Sequence, residues 1–160
     1  MKNNIEKTLD ITNYFINKEI HFEMHHIYYE NGDHLIKFLF ELDDKPNFMI
    51  FYYLDDNWLA ISNRYNLSSL LSINEFKIIK EEFQNNKGIF NRIIALDDEL
   101  NEIKLDIDSE EKLIYGLELY VEFDIKDINN NLLNKIYDYL IIKTNFSKKL
   151  SSLSKIKKTK

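Results

Sequence analysis

The stretch HFEMHHIYYENGDHLIKFLFEL, His21 to Leu42, decides the fold. In its first half Ile20, Phe22, Met24, His26 and Tyr28 alternate with His21, Glu23, His25, Ile27 and Tyr29, the period of two that marks a strand. In its second half Ile36, Phe38, Phe40 and Leu42 share one face. Asn31-Gly32 lies between them and invites a two-residue type I′ hairpin. That loop would pair Met24 with Leu39 and Phe22 with Glu41, setting the apolar faces of the two strands on opposite sides. A slip of one residue repairs the mismatch, because every side chain changes face with it. The three-residue loop Glu30-Asn31-Gly32 pairs Phe22 with Phe40, Met24 with Phe38 and His26 with Ile36. It puts Gly32 in the left-handed region, where a missing Cβ removes the clash. The expected connection is this three-residue loop.

Working outward, a first helix is predicted from Asn4 to about Asn17, with Ile5, Leu9 and Ile16 near one stripe and Tyr14 and Phe15 beside it. After the hairpin, Phe48 to Leu54 is apolar throughout and reads as a central strand covered on both faces, with Pro46 tolerated at its start. Trp58 to Ser62 reads as a fourth strand, followed by a polar segment, Asn63-Arg64-Tyr65-Asn66. Ser72 with Glu75 forms a capping box, so a second helix starts there. Its buried stripe is Ile73, Phe76, Ile79 and Phe83, and Asn86-Lys87-Gly88 ends it. Three more strands follow, Ile89 to Leu96, Ile103 to Asp108 and Leu113 to Phe123. A last helix is expected over Asn130 to Lys143, with Leu133, Ile136, Leu140 and Ile141 inward. The order α-β-β-β-β-α-β-β-β-α, an antiparallel meander flanked by helices, belongs to the α+β class.

The chain has 160 residues, which suits one domain with one core and no staples. We expect that domain over residues 1–146, with a basic, flexible tail over 147–160. The tail holds six lysines and no acid, while residues 1–146 hold the other 15 basic residues against 27 acids, a net of −12. So acidic a body repels nucleic acid, whose binding needs clustered cations. The tail alone suits phosphate or an acidic surface, and mobile termini are common without either role. No run approaches the roughly 20 apolar residues that span a bilayer, and no targeting segment is visible, so the cytoplasm is the expected setting.

The absence of cysteine excludes disulfides, thiolate metal sites and cysteine nucleophiles. The four histidines, His21, His25, His26 and His34, all lie in the hairpin. His26 and His34 fall diagonally on one face, roughly 7 Å apart at the backbone. Zinc needs three or four ligands and no third presents itself, so packing histidines are expected and no metal or other cofactor. The acid pairs Asp43-Asp44, Asp55-Asp56 and Asp97-Asp98 sit at expected turns, where Asp bonds the local backbone. None has calcium-loop spacing, and adjacency on a turn does not make a catalytic dyad. Gly32, Gly88 and Gly116 cannot build a phosphate loop or a nucleophile elbow. No catalytic residue is assigned.

The outer hairpin face, with Ile27, Tyr29, Leu35 and Leu39 beside His21, Glu23, His25 and Lys37, is a half-apolar surface with a polar surround. Exposed, it would mark an interface; covered by a helix, it would be core. Arg64 and Tyr65 are the other candidates for partner binding, as residue types enriched in hot spots, against a reading with Tyr65 tucked under the second helix.

The element order resembles the YbjN family and the related type III secretion chaperone-like fold. The stretches that carry the resemblance are Ile20–Leu54 and Asn91-Arg92-Ile93-Ile94-Ala95-Leu96-Asp97-Asp98 leading into Ile103–Asp108, and it covers about Leu9 to Leu150. Leu113–Phe123 and Trp58–Ser62 exceed the family's usual strand count, which leaves another α+β family open. The resemblance implies a chaperone-like or adaptor role without catalysis, with a homodimer among its implications. Three readings follow: a protein-binding module of this kind, a small acidic immunity protein that neutralises a basic toxin, and, with least support, an enzyme with a carboxylate site in a sheet cleft.

Overall fold

A computed structural model of the chain describes residues 4–40, 48–53, 56–105, 111–142, 146, 148–150 and 152–153, the side chains of Asn4 and Ile5 excepted. The elements are α1 (Asn4–Asn17), β1 (Phe22–Tyr28), β2 (His34–Phe40), β3 (Phe48–Tyr53), β4 (Trp58–Leu71), α2 (Ile73–Asn86), β5 (Arg92–Leu96), β6 (Ile114–Asp124), a short 3-10 turn (Ile125–Asp127) and α3 (Asn130–Ile141). The strands form one six-stranded sheet in the order β1-β2-β3-β4-β6-β5. The α+β class expected from the sequence is the one found.

The chain divides into two compact units, Met1–Ser62 with Val121–Ile142, and Asn63–Tyr120 with Lys143–Lys160. In the first, β1, β2 and β3 form an antiparallel meander in which Phe22 opposes Phe40 and Phe38 opposes Ile50. The Phe15 ring of α1 lies edge-on to Phe40 at 4.8 Å, and Phe48 of β3 meets Tyr139 of α3 at 5.6 Å. Lys7 donates to the Ile128 carbonyl at 2.8 Å. Large aromatic rings dominate this core because each removes more apolar area from water than any aliphatic side chain.

The second unit packs α2 on β5. Ser72 caps α2 reciprocally with Glu75, and Ile73, Phe76, Ile79 and Phe83 are its buried residues, both as expected. Phe83 meets Phe146 at 5.9 Å. Gly116 of β6 is held close: a Cβ there would stand 3.1 Å from the Tyr65 carbonyl oxygen and 3.5 Å from Leu96. A side chain there would need the β4 backbone to give by a few tenths of an ångström, which fits a glycine in mid-strand.

The structure departs from expectation at four places. In α1 the buried residues are Ile11 and Phe15, while Leu9 and Ile16 are exposed. Ile11 and Phe15 are one turn apart and so share a face of the helix. In α3, Leu132 takes the inward place and Ile141 is exposed. Strand β4 does not stop at Ser62 but runs on to Leu71 through Asn63, Arg64 and Tyr65. Ile103 to Leu105 form no strand; only a single bridge pairs Glu102 with Leu96. Asp106 to Asp108 lie outside the described residues, as do Pro46, Asp43-Asp44, Leu54 and Asp55. Of the expected tail, residues 148–150 and 152–153 are helical and Leu150 is buried; Ser147, Ser151 and residues 154–160 lie outside the described residues.

Candidate partner-binding surface

The hairpin has the register its face pattern requires: Phe22 opposes Phe40, Met24 opposes Phe38 and His26 opposes Ile36. Tyr29 N–H donates to the Asp33 carbonyl at 3.0 Å and Gly32 N–H to the Tyr29 carbonyl at 3.0 Å, which closes the three-residue loop. Gly32 has φ +92°, the left-handed geometry for which glycine was needed. Asn31 supports the turn, its side-chain oxygen accepting from Asp33 N–H at 3.1 Å.

Register alone does not say what is covered. β2 is mostly buried, yet in β1 Glu23, Met24, His25, His26 and Tyr28 are all exposed. Position in the sheet explains the contrast, because β1 is the edge strand and β2 has neighbours on both sides. α1 reaches the beginning of β1, where Phe15 meets Phe22 at 6.5 Å. Further along the same face Tyr28 is 72% exposed and Met24 44%.

The exposed end of that face is ordered by stacked rings. Tyr28 stacks on His34 at 4.3 Å and His26 on His34 at 5.1 Å. His26 Nδ1 lies 2.9 Å from His34 Nε2, so one ring donates and the other accepts. The two histidines do share a face, as the register requires. Among the described residues no group of three or more His, Asp or Glu is placed to hold a metal ion.

The opposite face of β1 carries Glu23, His25 and Ile27. His25 Nε2 contacts Glu23 Oε2 at 2.9 Å, with both side chains about half exposed. Across on β2, His25 opposes Lys37, Glu23 opposes Leu39, and Ile27 opposes Leu35.

The residues singled out from the sequence therefore separate. Tyr29 is 47% exposed, and Ile27 and Leu39 are half-buried. Leu35 is a core residue, so the covered alternative holds at that end of the face. Tyr65 is also core, and its hydroxyl donates to Asn63 Oδ1 at 2.8 Å. Arg64 pairs through Nε with the buried carboxylate of Glu118 on β6. Neither Leu35 nor Tyr65 is offered to a partner, and Arg64 is committed to an internal ion pair. Met24, His26 and Tyr28, which the alternation places on one face with Phe22, are exposed. The signal for them was topological: the first strand of a meander is an edge unless a later strand returns beside it.

The described residues also line recesses on the surface. One, of about 540 Å³, lies between α1 and the start of α3 and is lined by Asn13, Asn17, Asn129, Asn130 and Asn134 around Tyr14. The Tyr14 hydroxyl donates to Asn134 there, and burial, then Asp138 and Tyr137, push its pKa up. Another, of about 370 Å³, has Lys80, Arg92 and Lys104 around an apolar floor that includes Phe76 and Ile103. Arg92 reaches Glu102 at 3.3 Å and stands over the Tyr120 ring. Neither recess brings together a nucleophile, a base and an orienting group. Among the described residues no helix is long and apolar enough to cross a membrane. No protein-family model, curated protein or solved structure matches the chain.

Proposed function

We propose that the chain is a non-enzymatic protein-binding module of the chaperone or adaptor kind that its element order resembles, acting in the cytoplasm. The observation that carries this reading is the exposure of β1, where Met24 and Tyr28 stand on one face of a well-ordered hairpin. Exposed apolar and aromatic side chains clustered on a rigid element are the ordinary makings of an interface, and tyrosine is a frequent anchor. The contact surface is the β1 edge, with Met24 and Tyr28 on one face and Ile27 and Tyr29 on the other, Leu39 at its margin. It replaces the set that included Leu35, Arg64 and Tyr65.

The test is capture from the source organism's lysate with the wild-type chain and with a Met24→Ser, Tyr28→Ser double variant as baits. A stoichiometric protein that the wild type retains and the double variant loses supports the reading. A partner held equally by both would place binding elsewhere on the molecule. The immunity-protein alternative rests on the formal net charge of −6. It differs in kinetics, since electrostatic steering of a basic toxin gives an association rate that falls steeply with salt.

A further inference from the structure

We infer that the partner of β1 is a second copy of this chain, joined edge to edge in an antiparallel pair that continues the sheet. The inference rests on the binding reading above and names the occupant of its surface. Three observations carry it.

The first is the open edge. Among the described residues no strand lies on the outer side of β1. Tyr29 N–H donates to the Asp33 carbonyl, which turns the Tyr29 backbone towards β2, and inward- and outward-pointing positions alternate along an antiparallel strand. The N–H and C=O groups of Phe22, Met24, His26 and Tyr28 therefore point away from β2.

The second is the lack of the usual blunting devices. Natural edges carry proline, lysine or a bulge to prevent pairing. The seven residues of β1 hold no proline and no lysine, and they pair with β2 one for one from Phe22 to Tyr28.

The third is charge complementarity under two-fold symmetry. With Met24 opposite the second copy's Met24, the outward amides of Phe22 meet those of the second copy's His26. Glu23 then falls opposite the second copy's His25, and His25 opposite its Glu23. These two pairs are non-hydrogen-bonded, the type in which side chains come closest. One strand thus supplies both halves of an isologous contact. Shifting the centre to His25 would set two histidines face to face, each already opposite Lys37 of its own chain, and would leave Glu23 opposite an isoleucine.

Sedimentation velocity of the full chain over a wide concentration range tests this with three variants. Wild type should reach a dimer. Met24→Pro removes an N–H that points to the open edge, so circular dichroism should stay native while the dimer is lost. Glu23→Lys sets lysine against histidine and His25→Glu sets glutamate against glutamate, so each alone should weaken the dimer about tenfold. Mixed in equal amounts, those two variants should recover association, because lysine then faces glutamate in one pair and histidine faces glutamate in the other. A wild type that stays monomeric overturns the inference, and so does a dimer indifferent to Met24→Pro. Failure of the mixture to recover overturns this register. A monomeric wild type that still captures a Tyr28-dependent lysate partner sinks the second-copy inference alone and leaves the binding reading standing.

Discussion

β1 and β4 both mix apolar and polar side chains along a strand, and they meet opposite fates. β1 lies at the sheet edge with most of its side chains in water. β4 lies inside the sheet and buries Leu59, Ala60, Ile61, Tyr65 and Leu67, together with the polar Ser62 and Asn63. Polar residues occur in both, and position in the sheet decides whether they are exposed or buried. The contrast teaches where substitutions will be felt as lost stability and where as lost contact.

The largest effect is expected at Tyr65. It is fully buried and its hydroxyl bonds Asn63. Tyr65→Ala removes the ring and its hydrogen bond to that amide oxygen, and should cost about 3–5 kcal/mol of unfolding free energy in urea titrations. A loss under about 1 kcal/mol would mean that the core relaxes around the gap. Next is Arg64→Ala, which leaves the Glu118 carboxylate buried without its cation. Because Arg64 is itself about one-third exposed, the expected loss is about 2–3 kcal/mol, less than for a wholly buried pair.

A pH experiment sharpens the same comparison at β3. Burial pushes the Tyr52 hydroxyl up to about 12 from 10.0. The folded chain therefore holds this proton more tightly than the unfolded chain does. The contribution is complete below pH 10 and is lost as pH rises towards 12. Urea midpoints taken between those values should fall with pH, and the slope should flatten in Tyr52→Phe. The smallest effect on stability is expected at β1. Tyr28→Ala should change unfolding free energy by no more than about 0.5 kcal/mol, as for other exposed positions, while it weakens partner binding. A larger loss would mean that the stack on His34 braces the hairpin.

Where the sequence was legible, several local constraints agreed. The register of the first hairpin followed from two face patterns and one glycine, and only one loop length satisfied all three. The start of α2 followed from Ser72 and Glu75, whose reciprocal bonds leave little freedom. α1 was harder because two apolar sets compete on a short helix. The choice of Ile11 and Phe15 over Leu9 and Ile16 depends on the Phe22 and Phe40 rings that Phe15 meets, which helical periodicity does not contain. The length of β4 was hidden by Ser62 and Asn63, which look like a strand end yet are buried. Three of the binding candidates, Leu35, Arg64 and Tyr65, are engaged within the fold for a related reason. Exposure is a property of the assembled sheet, so Leu35 and Tyr65 lie in the core while Met24 and Tyr28, on the face that begins with Phe22, are exposed.

Amide hydrogen exchange, followed residue by residue at two protein concentrations, tests the open edge most directly. The amides of Met24 and His26 should exchange quickly in dilute solution and become protected in concentrated solution, while those of Ile61 and Tyr65 in β4 stay protected in both. Protection of Met24 and His26 that is already complete in dilute solution would contradict the account, because it would mean that the edge is covered within a single chain.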